Sequence, residues 1–408
     1  MATQCDVLII GAGPAGSVAG SILAKKGRKV LCLEGGTFPR FQIGESLLPR
    51  CNDILEEAGL LEAVNSWGFM PKPAAKFLKG DATERFCFAE MFPGQRPAAL
   101  QVTRADFDQL LATETRKKGC DIRYQQRVDA VEVSADGKTQ FTRVTDVESG
   151  ATWQVESKFV LDCSGYGRVL PRLFNLEKNP TLSPKIALFA HFEGDVRPEG
   201  PEGGDIWVPI TDRGTWIWII PFSNGRTSVG VVAEPQHIEP FGKTDQERLI
   251  SAIQADPHAN KRLGNAVPVM KTQRLQSWSA AVTKFWGPGW AVAGNASEFL
   301  DPVFSSGVTL ALESAHRAAK LADRQLNGEA VNWDDEYTTV MARAVGVFRV
   351  FVETWYTTEL QRVMLFPKKA DRIKRAITSV LGGYVLDDQN PFVRDTRGTL
   401  DACLKLIA

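Results

Sequence analysis

The chain has 408 residues, of which 44% are hydrophobic and 24% are charged, and its 48 basic side chains balance 48 acidic ones. This length predicts two or three domains, and the zero net charge gives no reason to expect a nucleic acid or a membrane surface as a partner. The seven cysteines include no C-x-x-C pair and the four histidines do not cluster, which argues against a disulfide framework and against a metal site. No apolar run is long enough to span a bilayer and the first strand begins almost at once, so we expect a cytoplasmic protein without a signal peptide.

The amino-terminal part of the chain has the pattern of a β-α-β unit. Residues 5–10 form an apolar run that predicts a buried parallel strand, and residues 14–26 predict a helix of small side chains that Gly27 ends. Residues 29–33 predict a second buried strand, which ends at Glu34. Together these elements form one unit of the expected length.

A G-x-G-x-x-G motif at residues 11–16 joins this strand to this helix. Gly11 permits a tight turn, Gly13 lets a pyrophosphate approach the backbone, and Gly16 allows the strand and the helix to pack closely. The helix amino terminus favours the charge of the pyrophosphate, and Glu34 can accept hydrogen bonds from ribose hydroxyls. The motif therefore indicates an adenine dinucleotide. The rest of the chain favours FAD over NAD. No second motif of this kind follows a strand, so the electrons would come from a separate reductase or a transient nicotinamide contact.

The middle of the chain has the pattern of a second, antiparallel sheet. Segments rich in aromatic and β-branched residues predict its strands at 185–195, 205–211, 215–221 and 227–233. Asp212-Arg213-Gly214 and Asn224-Gly225 are typical of the hairpin turns between them. The remaining predicted elements are a helix at 103–118, buried strands at 157–163 and 290–294, a long helix from Gly307 to Leu326, and a helical tail at 333–408.

Three segments resemble flavin-dependent halogenases. Residues 38–48 (Phe-Pro-Arg-Phe-Gln-Ile-Gly-Glu-Ser-Leu-Leu) resemble the segment that lines the isoalloxazine ring in that family. Residues 216–221 (Trp-Ile-Trp-Ile-Ile-Pro) fit the family's W-x-W-x-I-P signature, the most specific of the three. Residues 301–308 (Asp-Pro-Val-Phe-Ser-Ser-Gly-Val) resemble its halide-side flavin loop. The resemblance covers roughly residues 5–325.

The resemblance implies an α/β fold with a Rossmann-like, para-hydroxybenzoate hydroxylase-like FAD-binding domain made of residues 1–65, 100–175 and 276–328. An antiparallel β-sheet substrate domain, residues 66–99 and 176–275, is inserted into it, and residues 329–408 form a helical C-terminal segment. The glycine-rich motif, the resemblance and the matching loops of the wider superfamily together predict a set of FAD contacts. These are Gly11, Gly13, Ala15, Gly16, Glu34, Arg40, Ile43, Gly44, Glu45, Ser46, Arg104, Val128, Asp162, Asn295, Pro302, Gly307 and Val308.

The resemblance also implies halogenation chemistry. In this family, reduced flavin, oxygen and a halide ion, chloride or bromide, yield hypohalous acid. The backbone amides of Ser306 and Gly307 would hold the halide, since a helix start is a suitable anion site. Residues 68–77 match the family segment that carries the catalytic lysine, and the alignment favours Lys72 over Lys76 for passing the oxidant to the substrate.

Trp216 and Trp218 would act by occlusion, because two indole rings beside the flavin would keep an organic substrate away from it. Each assignment also has a plainer interpretation. The two tryptophans alternate to one side of a strand and could simply face a core. Lys72 could be a solvated loop lysine, and residues 305–307 could be only a helix N-cap.

The expected substrate is a phenol or a pyrrole, free or bound to a carrier protein, with a separate flavin reductase as partner. Phe304 stands where tryptophan halogenases have a glutamate, which argues against free tryptophan. Asn295 replaces an aspartate usual in the superfamily, and the part of the chain after residue 330 is short for a halogenase. The alternative is a halogenase-like FAD-dependent monooxygenase, dehydrogenase or reductase. No general base is evident, and neither His191 nor Glu193 receives that role.

Overall fold

The computed structural model describes residues 3–179, 183–211 and 214–407. Its strands are β1 Thr3–Ile10, β2 Val30–Leu33, β3 Met70–Lys72, β4 Ala74–Lys79, β5 Ala82–Cys87, β6 Ala99–Gln101, β7 Asp121–Arg123, β8 Gln126–Val133, β9 Gln140–Asp146, β10 Thr152–Asp162, β11 Glu177–Lys178, β12 Ile186–Glu193, β13 Ile206–Pro209, β14 Trp216–Pro221, β15 Thr227–Ala233, β16 Val267–Pro268, β17 Gln273–Gln276, β18 Ala281–Val282, β19 Trp286–Gly287 and β20 Trp290–Val292. Its α-helices are α1 Pro14–Lys25, α2 Arg50–Ala58, α3 Leu61–Ser66, α4 Arg104–Lys117, α5 Val169–Leu173, α6 Pro235–Ile238, α7 Asp245–Ala255, α8 Pro257–Leu263, α9 Ser306–Leu326, α10 Val340–Tyr356, α11 Glu359–Leu365, α12 Asp371–Leu381, α13 Pro391–Arg394 and α14 Thr396–Leu406.

The first sheet is built around the buried apolar run of β1. Its strand order is β19-β20-β10-β1-β2-β7, and β8 and β9 extend it as an antiparallel pair beside β10. β1 pairs in parallel with β10 and with β2, and β20 runs parallel to β10. The carboxyl ends of these parallel strands therefore meet at one edge, which is where open α/β sheets bind their ligands.

The second sheet has the strand order β16-β12-β15-β14-β13-β4-β5, with β17 beside β12. The predicted antiparallel arrangement holds for its other pairs, but β4 and β13 run parallel. These two strands are far apart in the chain, so no hairpin fixes their directions. Asn224-Gly225 forms the predicted turn between β14 and β15, with Gly225 at φ +87°. Of the other predicted turn, Asp212 and Arg213 lie outside the described residues.

The glycine-rich loop after β1 packs tightly against its neighbours. Gly11 has φ +95°, and a Cβ added there would be 2.7 Å from the carbonyl oxygen of Cys163, which follows β10. A Cβ on Gly16 would be 1.9 Å from the carbonyl oxygen of Gly11, so α1 can lie this close only without a side chain. At Gly13 the nearest atom would be Nη2 of Arg40 at 3.7 Å, which leaves this part of the loop open.

The predicted helical tail is confirmed, and it covers parts of both sheets. The ring of Trp355 in α10 packs edge-on against Phe77 of β4 and Phe304, with centroid distances of 5.4 and 5.5 Å. The hydroxyl of Tyr337, in a short π-helix before α10, donates to the carbonyl oxygen of Val292 in β20 at 2.7 Å. The α/β fold is thus confirmed, while the division into three domains stays a prediction.

The space required at Gly16 leads to a stability prediction. Gly16→Ala should lower the free energy of unfolding by about 1–3 kcal/mol, because the new methyl group would overlap the carbonyl oxygen of Gly11. Gly346→Ala is the matched control, since an added Cβ at this position in α10 meets no described atom within 4 Å. The control should raise the free energy of unfolding by about 0.5–1 kcal/mol. Urea unfolding measures both changes, and equal effects of the two substitutions would contradict the close contact between Gly16 and Gly11.

Candidate active site

A cavity of about 460 Å³ lies between the two sheets, at the carboxyl-terminal edge of the first. Most of the predicted site residues line it: Gly11, Gly13, Ala15, Glu34, Arg40, Ile43, Gly44, Glu45, Ser46, Arg104, Val128, Trp216, Trp218, Asn295, Pro302, Gly307 and Val308. Gly16, Lys72, Asp162 and Ser306 are outside this lining. The structure therefore brings together segments that are up to about 300 positions apart in the chain.

The part of the cavity beside the glycine-rich loop has the features of a dinucleotide site. α1 starts there with Gly13 as its N-cap and without a capping side chain, so the amides of its first turn face no internal partner. Oε2 of the buried Glu34 accepts a hydrogen bond from the amide of Ala12 at 2.9 Å, and Oε1 accepts one from the amide of Gly36 at 3.0 Å. Glu34 thus holds the loop, and each of its oxygens retains a lone pair for a ligand.

Arg104 braces the segment that carries Ile43 and Gly44. Its guanidinium donates to both carboxylate oxygens of Asp108, at 2.7 and 3.0 Å, and to the carbonyl oxygen of Ile43 at 2.9 Å. Gly44 has φ +107°, and an added Cβ would be 3.0 Å from Nη1 of Arg104. Arg40 also lies 3.6 Å from Asp108. Sequence reasoning missed Asp108, although its position four residues after Arg104 on a predicted helix was an available signal.

Glu45 and Ser46 line the cavity, and each has a buried polar atom without a hydrogen-bond partner within the described chain. Glu45 is 1% exposed, its Oε1 lies 2.7 Å from Nε2 of His191, and its Oε2 has no hydrogen-bond partner among the described residues. The buried hydroxyl of Ser46 lacks a partner in the same part of the chain. Buried polar atoms of native proteins are seldom left unpaired, so these two indicate a bound group.

Two indole rings form part of the cavity wall. Trp216 and Trp218 project from the same face of β14, with ring centroids 6.0 Å apart, and both are buried. Nε1 of Trp216 donates to the hydroxyl of Tyr356 and Nε1 of Trp218 to that of Ser228, each at 3.1 Å. Gly230 lies opposite Trp218, where an added Cβ would be 2.2 Å from the indole. Both rings are therefore held by a hydrogen bond and by packing.

Asp301 joins the loop before α9 to the helical tail. Its Oδ2 accepts a hydrogen bond from the hydroxyl of Tyr356 at 3.0 Å, and its Oδ1 accepts one from the amide of Val303 at 3.0 Å. Nζ of Lys185 lies 3.8 Å from the centroid of the Tyr356 ring. Burial raises the pKa of the Asp301 carboxyl to about 6. Sequence reasoning did not identify Tyr356 or Lys185, because no local pattern joins them to Asp301.

The first turn of α9 starts at the cavity without a capping side chain. Its N-cap, Ser305, has the left-handed φ of +57° and makes no side-chain capping bond. Gly307 and Val308 line the cavity, whereas the side chain of Ser306 is buried behind it. An added Cβ at Gly307 would be 2.7 Å from the ring of Phe299, so this turn requires a glycine there.

Lys72 is buried next to the cavity wall but is not part of it. Its side chain is 1% exposed, and Nζ donates to the carbonyl oxygen of Leu47 at 3.0 Å and lies 5.3 Å from the centroid of the Phe88 ring. Burial lowers the pKa of this amine to about 7. The interpretation of Lys72 as a solvated loop lysine is therefore wrong. Lys76, the other candidate, instead lies 3.4 Å from the carboxylate of Glu202 on a more exposed part of β4.

Asp162 also lies behind the wall instead of facing the cavity. Its Oδ1 accepts a hydrogen bond from the amide of Ser164 at 2.8 Å, and its Oδ2 accepts one from the amide of Leu170 at 2.7 Å. Burial raises the pKa of this carboxyl, which has no contact with solvent. Its side chain is therefore outside the cavity lining, and an FAD contact of Asp162 stays a prediction. Asp162 fixes the backbone that follows β10, and residues 163–167 of that backbone line the cavity.

The residues present fit FAD. The uncapped start of α1 suits an anionic pyrophosphate, and Glu34 suits ribose hydroxyls. The unpaired atoms of Glu45 and Ser46 need partners that the polar edge of a flavin ring can supply. Asn295 in the cavity lining offers an amide to a ribityl hydroxyl.

Comparison with known proteins agrees with this fit. Residues 4–345 match the family model of the FAD binding domain. The 1H-pyrrole-2-carbonyl-[peptidyl-carrier protein] brominase of Pseudoalteromonas luteoviolacea (strain 2ta16) is 32% identical over 79% of this chain and 78% of its own length. The chain belongs to the flavin-dependent halogenase family. FAD is the cofactor of this halogenase-family protein, and the protein is an enzyme.

Two solved structures resemble this halogenase-family protein along nearly its whole length. A flavoprotein/dehydrogenase from Cytophaga hutchinsonii is 40% identical with a TM-score of 0.95, over 99% of this chain and 98% of that one. The flavin-dependent brominase Bmp2 is 27% identical with a TM-score of 0.85, over 98% of this chain and 100% of that one. Within the described residues, no helix has the length and apolar character needed to cross a membrane. The same residues contain no group of three or more His, Cys, Asp or Glu side chains arranged to hold a metal ion.

The buried carboxyl of Asp301 predicts a pH effect on stability. Its pKa is raised to about 6 in the folded protein, whereas that of an exposed aspartate is about 4. Protonation therefore favours the folded state, and this contribution is lost as the pH rises from about 4 to 6. Between pH 4 and pH 7, the unfolding free energy of the wild-type protein should fall by up to about 3 kcal/mol more than that of Asp301→Asn. Denaturant titrations test this, with Asp121→Asn at an exposed position as the control, and an unchanged pH dependence would refute the assignment.

Proposed function

We propose that this protein halogenates an electron-rich aromatic compound, a phenol or a pyrrole. The observation that carries the proposal is the pair of fixed indole rings, Trp216 and Trp218, in the wall of the cavity that fits FAD. Rings of this size keep an organic substrate from the flavin but leave room for a halide ion. When bound and reduced, FAD with oxygen and chloride or bromide supplies hypohalous acid.

In this proposal, the FAD contacts follow the lining of the cavity. The pyrophosphate lies at the start of α1 near Gly13, and Glu34 accepts from the ribose. Residues 43–47 and the loop 301–308 would hold the flavin ring, and Glu45 and Ser46 of the first segment have unpaired polar atoms. Arg104 keeps the first of these two segments in place through its bond to Ile43.

The halide lies, in this proposal, at the first turn of α9, held by the backbone amides of Ser306 and Gly307. The uncapped helix start and the left-handed Ser305 before it support this role, because these amides have no partner within the helix. The positive end of the helix dipole adds to the attraction for an anion. The buried side chain of Ser306 takes no part, since only its amide is required.

Lys72 receives the oxidant and presents it to the substrate. An amine whose pKa is lowered to about 7 is partly neutral at physiological pH, so it can either accept the halogen or donate a hydrogen bond to the hypohalous oxygen. Its hydrogen bond to the carbonyl oxygen of Leu47, the last residue of the proposed flavin segment 43–47, supports this role. The desolvated surroundings of Lys72 also favour a reactive amine over a protonated one.

The substrate is free or bound to a carrier protein, and a separate flavin reductase supplies the electrons. The Pseudoalteromonas relative is named for a pyrrole-2-carbonyl group on a peptidyl-carrier protein, which supports a substrate of this kind. The lack of a second dinucleotide motif after a strand supports a separate reductase or a transient nicotinamide contact as the source of electrons.

A second candidate function is a direct oxidation or reduction of a substrate by FAD in the same cavity. Two observations favour it. Lys72 lies outside the cavity lining, and the relative that is 40% identical is described as a flavoprotein/dehydrogenase. In this case Trp216 and Trp218 would shape the substrate pocket, and halide would have no effect on turnover.

Lys72→Met tests the route of the oxidant. The substitution keeps an unbranched, buried side chain but removes the amine, so we expect halogenated product to fall by about 100-fold or more. FAD content and hydrogen peroxide release should remain, because the substitution leaves the cavity lining intact. Turnover with a flavin reductase, NADH, bromide and a phenol or pyrrole panel measures this by mass spectrometry. Lys76→Met, on the neighbouring strand, should have little effect, and product formation by Lys72→Met would exclude the proposed role.

Gly307→Ala tests the halide site. The methyl group would press against Phe299 and displace the first turn of α9, so the apparent affinity for bromide should fall by about tenfold. The bromide dependence of flavin reoxidation, followed by absorbance, gives this affinity. Gly346→Ala, in a helix away from the cavity lining, should leave it unchanged. An unaltered bromide dependence in Gly307→Ala would rule out the amides at the start of α9.

A further inference from the structure

Halogenation in this cavity consumes protons, and the following inference rests on the proposed function. One reduced flavin, one oxygen molecule, one halide ion, one aromatic C–H and one proton become oxidised flavin, an aryl halide and two water molecules. If the reduced flavin and oxygen instead release hydrogen peroxide, no net proton is consumed. The halide-dependent part of the reaction therefore takes up one proton per turnover, and that proton has to come from solvent.

Glu45 is the carboxylate in the cavity wall that can deliver a proton. Of the acidic side chains lining the cavity in the described part of the chain, Glu34 has both oxygens bonded to backbone amides. Glu45 has one oxygen bonded to His191 and the other, Oε2, without a partner. A carboxyl group that lines the cavity and has an oxygen without a partner can both take up and release a proton.

His191 connects this carboxyl to water. Its side chain is 12% exposed, while that of Glu45 is 1% exposed, so water reaches the imidazole from outside the pair. The rings of Phe41 and Phe222 pack against the imidazole with centroid distances of 5.6 and 5.1 Å, which holds Nε2 at 2.7 Å from Oε1 of Glu45. Phe41 is itself 42% exposed, so the imidazole lies close to the protein surface.

We propose that His191 and Glu45 form a relay that carries protons from solvent to the active-site cavity. Nδ1 of His191 takes a proton from water, and Nε2 passes one to Oε1 of Glu45. Rotation of the protonated carboxyl group by half a turn carries this O–H to the position of Oε2, from which the proton is released into the cavity. Exchange of the imidazole tautomer with water then restores the pair. An imidazole suits this task because either of its nitrogens can bind or release the proton.

The charges around the pair are compatible with this transfer. Arg104 is the cation that faces Glu45, and Asp108 already neutralises its guanidinium through two hydrogen bonds. Arg104 therefore does not hold the Glu45 carboxylate in a tight ion pair. Glu193, the other acid considered on β12, bonds to Arg226 at 3.1 Å and is exposed, which leaves it outside the relay.

The test is a single turnover with proton uptake as its readout. FAD-loaded protein is reduced and mixed with oxygen, with or without bromide, in weakly buffered solution containing a pH-indicator dye. Wild type should take up one additional proton per turnover when bromide is present. In His191→Gln, which can still donate a hydrogen bond to Glu45, the rate of this uptake should fall by about 100-fold. Added imidazole, a small mobile proton carrier, should restore the rate.

Two further variants are measured in the same way: Glu45→Gln, in the relay, and His258→Gln, as the control. Glu45→Gln removes the inner proton carrier, so its uptake should be slow and imidazole should not restore it. His258→Gln changes a histidine whose Nε2 bonds to the carbonyl oxygen of Gly80, and its uptake should equal that of wild type. The dissociation constant of FAD, measured on the apoproteins of His191→Gln and His258→Gln, should stay within about threefold of the wild-type value. Because Glu45 is itself a proposed FAD contact, uptake by Glu45→Gln is measured with FAD at saturation. If either His191→Gln or Glu45→Gln fails to retain FAD, the proton uptake of the other variant tests the relay.

The outcomes separate the relay from the proposed function. Rapid uptake in His191→Gln, or restoration of Glu45→Gln by imidazole, overturns the relay and leaves halogenation standing. If the wild-type protein shows no bromide-dependent proton uptake, halogenation is overturned and the relay with it. A structural role for His191 would lower the rate without any response to the concentration of imidazole.

Discussion

The hydrogen bonds around Asp301 are the constraint on which the cavity wall depends. Through Tyr356 they join the loop before α9 to the helical tail, and Tyr356 in turn receives the indole N–H of Trp216. Sheet, loop and tail thus meet at one buried carboxyl. Because Asp301 also binds the amide of Val303, the same group sets the backbone that leads into α9. A change in the tail would therefore be transmitted to both the tryptophan wall and the proposed halide site.

The parts of the site predicted well from the sequence are those whose geometry is local. The turn at Gly11 and the packing at Gly16 follow from a motif of a few residues between a strand and a helix, and the structure contains both. Trp216 and Trp218 face the same way because alternate residues of a strand do so. The tail was identified as helical from its pattern, although its contacts with Phe304 and Phe77 were beyond that pattern.

Other parts depend on contacts that no local pattern encodes. Glu45 and His191 are 146 positions apart, and their bond exists only because β12 of the second sheet passes beside the segment after β2. Asp162 follows a buried strand, as a ligand-binding acid would, yet two backbone amides take up its oxygens. The sequence around Lys72 is compatible with a solvated loop, but β3 pairs with β6 and Lys72 is buried. In each case, contacts with other parts of the chain decide which of two roles the residue has, and the local sequence favours neither role.

Phe304 shows how the tail can restrict the chemistry of the site. Its ring is 3% exposed and packs edge-on against Phe351 and Trp355 of α10, at 5.8 and 5.5 Å. A carboxylate at this position, as tryptophan halogenases have, would be surrounded by aromatic rings and would lose its hydration without gaining a partner. The aromatic side chains of α10 are therefore compatible with Phe304 but not with a carboxylate at that position. Since α10 also carries Tyr356, the aromatic face that excludes a carboxylate at residue 304 belongs to the same helix that fixes Trp216.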